Sequence, residues 1–162
     1  MANLAFLARE WIEFEMNENE IGKEVVDAAI AVHRELGPGL LESVYEAVLA
    51  DELAERGLSV ARQVLVPIFY KGKQIDDGYR ADIVVEGRVV LELKSIEGLK
   101  DVHQKQLLTY LKLSGMKLGF LLNFGEAVMK KGIVRIVNGL PEDVSRQGRE
   151  GRQEAEGSSG PG

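Results

Sequence analysis

The stretch Tyr79-Arg80-Ala81-Asp82-Ile83-Val84-Val85-Glu86-Gly87-Arg88-Val89-Val90-Leu91-Glu92-Leu93-Lys94-Ser95 decides the fold. It reads as two apolar β-strands joined by a tight turn at Glu86-Gly87-Arg88, where Gly87 can supply the positive φ that a three-residue hairpin loop needs. Three charges interrupt it: Asp82 on the first strand, Glu92 and Lys94 on the second. Charges inside apolar strands are costly unless they are paired or hold a metal. With that loop setting the register, Val85 is expected opposite Val89, and Asp82 opposite Glu92. Side chains alternate faces along a strand, so Asp82, Glu92 and Lys94 should share one face. Ile83, Val85, Leu91 and Leu93 should fill the other. Two adjacent carboxylates repel one another. A divalent cation relieves that repulsion, and a neighbouring lysine can orient a water, an arrangement suited to phosphodiester hydrolysis.

Working outward, Ile21, Val25, Ala28, Ala29, Val32 and Leu36 recur at helical spacing from about Glu20 to Leu36, with Asn17 or Asn19 as N-cap. Gly37-Pro38-Gly39 ends that helix. A second helix is expected from about Leu40 to Arg56, with Glu42 near its start. Val60–Tyr70 reads as a strand, followed by turns at Lys71-Gly72-Lys73 and Asp76-Asp77-Gly78. Downstream, Leu99–Leu113 returns to helical spacing and carries Gln106 and Tyr110, four apart and so on one face. Lys117–Phe124 and Gly132–Val137 read as strands, the second at an edge that could support a homodimer. A strand after a crossover helix most easily returns parallel. The expected fold is therefore α/β, a mixed sheet flanked by helices.

The chain divides into an N-terminal extension (1–15), a domain (16–140) and a polar tail (141–162) expected to be disordered. Phe6, Leu7, Trp11, Ile12 and Phe14 could form a short amphipathic helix or a loosely held extension, and Met16 could be the native start. The chain holds no cysteine and two histidines, which disfavours a thiolate or histidine-rich zinc site. Any metal should then sit on oxygen ligands, pointing to magnesium or manganese. No apolar run is long enough to span a membrane, and no secretory signal is visible, so the cytoplasm is the default location. The net charge of −6 comes from the two ends: residues 1–20 hold five acids and one base, and residues 142–162 five acids and three bases. The net charge alone argues weakly against a nucleic-acid partner; the neutral middle can still present a basic face, though composition does not make it a basic nucleic-acid binder.

These residues resemble a known family. Asp82, nine intervening residues, then Glu92-Leu93-Lys94 looks like the core motif of the PD-(D/E)XK nucleases. The order helix, three strands, helix, strand is similar to the restriction-endonuclease-like αβββαβ core of that superfamily. Gln106-Leu107-Leu108-Thr109-Tyr110 resembles the QxxxY motif of the RecB-like branch. Gly39-Leu40-Leu41-Glu42-Ser43-Val44-Tyr45 resembles the signature of the small prokaryotic GxxExxY proteins. The resemblance implies a metal-dependent nuclease acting on nucleic acid, DNA in the first instance. Asp82, Glu92 and the Leu93 carbonyl would hold magnesium or manganese, joined by Glu42. Lys94 would be the catalytic lysine, and Gln106 and Tyr110 would contact nucleic acid. The motif's leading proline is absent, since Ala81 precedes Asp82.

Blander readings stand beside these. The three charges could be a polar sheet face, Glu42 a helix-start acid favoured by the dipole, and Gln106 with Tyr110 a half-buried polar pair. Arg80 reads as a surface residue, and His33 and His103 as surface or capping groups. A nuclease-fold module that binds nucleic acid or a protein without turnover is the alternative function.

Overall fold

A computed structural model describes residues 15–141; the expectations for residues 1–14 and for the tail from 142 lie outside the described residues. The elements are α1 (Glu18–Leu36), α2 (Glu42–Glu55), β1 (Val60–Tyr70), β2 (Lys73–Val85), β3 (Val89–Lys94), α3 (Asp101–Ser114), β4 (Leu118–Asn123), a single-turn α4 (Met129–Gly132) and β5 (Ile133–Val137). They build a mixed five-stranded sheet in the order β1-β2-β3-β4-β5. The β3–β4 pair, bridged by α3, is parallel, and the other neighbours are antiparallel. The fold is α/β, in keeping with a restriction-endonuclease-like core.

Helix α1 starts at a capping box: the Asn17 side chain accepts from the Glu20 N–H at 3.0 Å, and the Glu20 carboxylate accepts from the Asn17 N–H at 2.9 Å. It stops at Gly37, whose φ of +69° carries the chain out of the helix. Helix α2 begins at Glu42 rather than Leu40, because Leu41 is still extended. Apolar stripes of α1 and α2 (Ile21, Val25, Ala28, Leu49, Leu53) cover one sheet face with Ile83, Val85, Leu91 and Leu93. On the other face α3 buries Leu107 and Leu111 against Val84, Val90 and Leu121. The result is three layers, with the sheet in the middle.

The β2–β3 turn follows the sequence expectation. Arg88 N–H donates to the Val85 carbonyl at 3.0 Å, and Val85 pairs with Val89. The expected turn at Asp76-Asp77-Gly78 is not there: β2 runs unbroken through it. Instead the β1–β2 register shifts between Val66 and Ile68. Gly78 faces that shift, and a Cβ there would lie 2.7 Å from the Ile68 side chain. Its glycine answers a close approach between strands, not a turn.

The long β1–β2 hairpin also changes faces part-way. Val60, Ile83 and Val85 pack towards α1 and α2, whereas Val64, Tyr79 and Ala81 pack towards α3. Val60 and Val64 have the same parity, as do Ala81 and Ile83, so alternation breaks between them. The break falls at Gln63, whose φ is +51°, and at Asp82 across from it.

Candidate active site

Strands β2 and β3 pair over only three residues each, ending at Ile83↔Leu91. Beyond that point β2 leaves with β1, and the Asp82 side chain takes the place of the next backbone acceptor: its Oδ2 accepts from the Leu93 N–H at 2.8 Å. Strand β3 stays paired with β4 on its other side as far as Lys94↔Asn123. The parting strands leave Asp82 on one and Glu92 and Lys94 on the other.

The acids open in two directions. Glu92 and Lys94 line a cavity of about 130 Å³ together with Tyr79, His103, Gln106, Leu107, Tyr110 and Leu121. Asp82 lines a wider opening of about 540 Å³ with Leu40, Leu41, Glu42, Ser43, Glu46, Gln63, Leu93 and Ser95. Lys94 forms no ion pair within 4 Å among the described residues. Glu42 is partly committed, since its Oε1 accepts from the Ser95 N–H at 3.3 Å. Gln106 donates to the Tyr110 hydroxyl at 3.4 Å, so the two face one another across a helical turn.

Several residues to which the sequence assigns no role of their own shape the site. Glu46 is buried one helical turn after Glu42 and accepts from Arg62 at 3.0 Å and from Gln63 at 2.8 Å. Its spacing from Glu42 was the available signal. Asn123 is fully buried and clasps the segment after Lys94: its amide donates to the Ile96 carbonyl at 3.0 Å and accepts from the Ile96 N–H at 3.1 Å. Tyr45 is buried and stacked on Phe124, with its hydroxyl donating to the Gly37 carbonyl at 2.5 Å and accepting from the Leu40 N–H at 3.2 Å. It thereby holds the turn that delivers Glu42. Tyr79 donates to Glu92 Oε1. His103 accepts from the Lys100 N–H at 3.0 Å, a capping role as expected. His33 is buried, not at the surface, and bonds the Glu126 carbonyl at 2.8 Å. Arg80 is exposed and donates to the Gln63 carbonyl at 3.3 Å.

Burial is the main force on the acids. It pushes the Glu92 carboxyl up to about 7; the nearby Asp82 charge adds to this, while the Tyr79 hydroxyl and Lys94 offset part of it. Asp82 is raised for the same first reason, with Glu46 and Glu42 adding and the Leu93 N–H and Lys94 opposing. Burial, then Glu92, raises the Tyr79 hydroxyl, which therefore keeps its proton.

The sequence profile of one family, described as the PD-(D/E)XK nuclease superfamily, matches residues 19–136, about three-quarters of the 162-residue chain. The chain belongs to the PD-(D/E)XK nuclease superfamily. No curated protein and no solved structure matches it. The PD-(D/E)XK domain is of nuclease type, and divalent metal ions are typical of such enzymes. No helix among the described residues is long and apolar enough to cross a membrane.

The PD-(D/E)XK acids fit a hard divalent cation. Every candidate donor is oxygen, and burial disfavours the ionised form of both central carboxyls, a cost that a bound cation would offset further than Lys94 does. Among the described residues no three Asp, Glu or His side chains gather as a ready-made ligand set. Two carboxylates with a neighbouring backbone carbonyl are the kind of oxygen donors that hard divalent cations take.

The raised Glu92 pKa has a testable sign. An acid whose folded pKa lies above its unfolded one stabilises the fold below the unfolded value, and that stability is lost as pH rises through the folded value. For Glu92 the window runs from the ordinary 4.5 to about 7. Glu92→Gln does not ionise, so in metal-free buffer its melting temperature should gain on wild type as pH rises through that window. The difference should approach about 3 kcal/mol at neutral pH. Thermal melts of both proteins at several pH values check this; parallel pH profiles would refute it.

Proposed function

We propose that this protein is a metal-dependent nuclease that hydrolyses phosphodiester bonds of nucleic acid, with DNA the first substrate to test. The observation that carries the reading is the parting of β2 from β3, which sets Asp82 beside Leu93, and Glu92 with Lys94 in one cavity, within a PD-(D/E)XK domain. Asp82, Glu92 and the Leu93 carbonyl would hold magnesium or manganese, with Glu42 at the edge of the set. A cation bound there supplies Lewis-acid charge for the scissile phosphate. Lys94 Nζ, with no carboxylate partner among the described residues, is available to a phosphate oxygen or to the attacking water. Gln106 is exposed on α3 and lines the mouth of the Glu92 cavity, where a nucleic-acid strand would pass.

The likeness to the GxxExxY proteins gains a physical account. Gly39 takes a φ of +105°, Glu42 binds the Ser95 N–H, and the Tyr45 hydroxyl ties Gly37 to Leu40. Ser95 Oγ donates to the Leu40 carbonyl at 2.7 Å. The motif welds the α1–α2 turn to the residue following Lys94.

A catalytically silent module that binds nucleic acid or a protein is the second reading. The division of the acids between two openings, with no three-carboxylate cluster among the described residues, favours it. A cleavage panel decides between them: single- and double-stranded DNA and RNA, each with magnesium, manganese or chelator. The nuclease reading expects cleavage of at least one substrate that chelator abolishes. Intact substrates under every condition, with nucleic-acid binding retained, would establish the silent module.

A further inference from the structure

We propose that Tyr79, braced by Tyr110, is a positioning residue for Glu92, so that two stacked rings act as a strut from α3 to the metal-binding carboxylate. The proposal rests on the reading of Glu92 as a metal ligand.

Tyr79 lies three residues before Asp82, on the stretch of β2 that has changed faces, and so points towards α3. Its side chain is buried and its hydroxyl donates to Glu92 Oε1. The Tyr79 ring stacks on Tyr110, with centroids 3.8 Å apart and planes 9° from parallel. Tyr110 is fixed in turn by α3, which anchors itself through the buried Leu107 and Leu111 on either side of it.

This contact changes what the Gln106/Tyr110 pair can do. One face of the Tyr110 ring is covered by Tyr79, so that face cannot take a nucleobase. A glutamate has three side-chain torsions, and Glu92 stands where its strand has lost its β2 partner. A hydroxyl held rigidly on one carboxylate oxygen selects one rotamer and orients the carboxylate. Partners of this kind, one step outside a metal's ligands, typically change metal affinity about 10- to 100-fold when removed.

The test is manganese affinity, measured on the full chain by calorimetry or by the EPR signal of free ion, beside nucleic-acid affinity measured in chelator. Tyr79→Phe keeps the ring and removes the hydroxyl. Tyr110→Ala removes the ring behind it. Both should weaken manganese binding by about 10-fold, with nucleic-acid affinity in chelator unchanged for Tyr79→Phe. Glu92→Gln is the reference and should weaken manganese binding at least as much. If Glu92→Gln weakens manganese and Tyr79→Phe binds it as wild type does, the strut is overturned while the metal-site reading stands. If Tyr110→Ala spares manganese and instead weakens nucleic-acid binding, Tyr110 is a strand contact and the strut is likewise overturned. If wild type and Glu92→Gln bind manganese alike, both readings fail together.

Discussion

Lys94→Ala is expected to lower metal-dependent cleavage by about 10²- to 10⁴-fold, the range for loss of a positioned proton-transfer or charge-stabilising group, while leaving the melting temperature within a few degrees of wild type. Both halves follow from where Lys94 sits. It is the last residue of β3, half-buried, lining the Glu92 cavity and making no ion pair within 4 Å among the described residues. Truncation breaks no ion pair and removes only a charge that partly offsets the Asp82 and Glu92 carboxylates, so the fold should lose little. The reaction loses the one lysine among the residues lining that cavity. Asp82→Asn should match the activity loss for a different reason. The amide oxygen can still accept from Leu93, so the strand contact survives, but the charge that would hold a cation under the proposed reading is gone. The two variants separate in a metal titration: Lys94→Ala should keep metal-induced thermal stabilisation and Asp82→Asn should lose it. Rates under magnesium and manganese, with chelator as baseline, are the measurement. Wild-type rates in Lys94→Ala would rule out the assigned role.

Gly125→Ala should be among the most damaging single-atom additions in the chain. A Cβ at Gly125 would stand 2.2 Å from the Ile96 carbonyl oxygen and 2.7 Å from its nitrogen. That backbone cannot step aside, because the fully buried Asn123 grips both its N–H and its carbonyl. Gly125 itself donates to the same Asn123 side chain at 3.1 Å. Overpacking of this kind costs about 2–3 kcal/mol, or roughly 5–10 °C in melting temperature for a domain of this size. The displaced segment begins at Ser95, which Glu42 and Leu40 hold, so cleavage should fall along with stability. Gly115→Ala is the contrast. Gly115 has a φ of +74° but open space around it, so alanine there meets only backbone strain, about 1 kcal/mol. Chemical denaturation of the two variants separates crowding from strain. Equal losses would show that the Ile96 contact does not constrain the fold.

Much of the site was legible because its geometry is local. Nine residues lie between Asp82 and Glu92, and the Glu86-Gly87-Arg88 loop sets the Val85↔Val89 pairing that brings their strands together. The flanking helices were legible from their apolar spacing, with Asn17 the one of two cap candidates that the structure uses. What escaped reading depends on long-range backbone geometry. Strict alternation puts Tyr79 on the same side as Ile83, away from Glu92; the face change at Gln63 and Asp82 reverses that, and nothing in a glutamine announces a φ of +51°. The same bend ends the β2–β3 ladder at Ile83, so Asp82 meets the Leu93 N–H where a flat sheet would set it squarely across from Glu92. Asp76-Asp77-Gly78 misled because its turn-like composition serves a register shift inside a strand. Asn123 lies inside an apolar strand, and its use becomes visible only once β3 and the segment after it are laid alongside.

The register shift between Val66 and Ile68 also separates the hairpin into two independently adjustable lengths. Below it, every β1–β2 pair from Val60↔Val85 to Val66↔Tyr79 keeps a single register, and that register sets Asp82 at the bend. Above it, Ile68↔Ile75 to Tyr70↔Lys73 form a short outer ladder closed by Lys71 and Gly72. Residues added in pairs at that turn extend the outer ladder without passing a slip to the base, where a one-residue shift would exchange the strand's inner and outer faces. The outer arm, with Phe69 and Tyr70 exposed, can thus grow or shrink in reach while the carboxylates keep their positions.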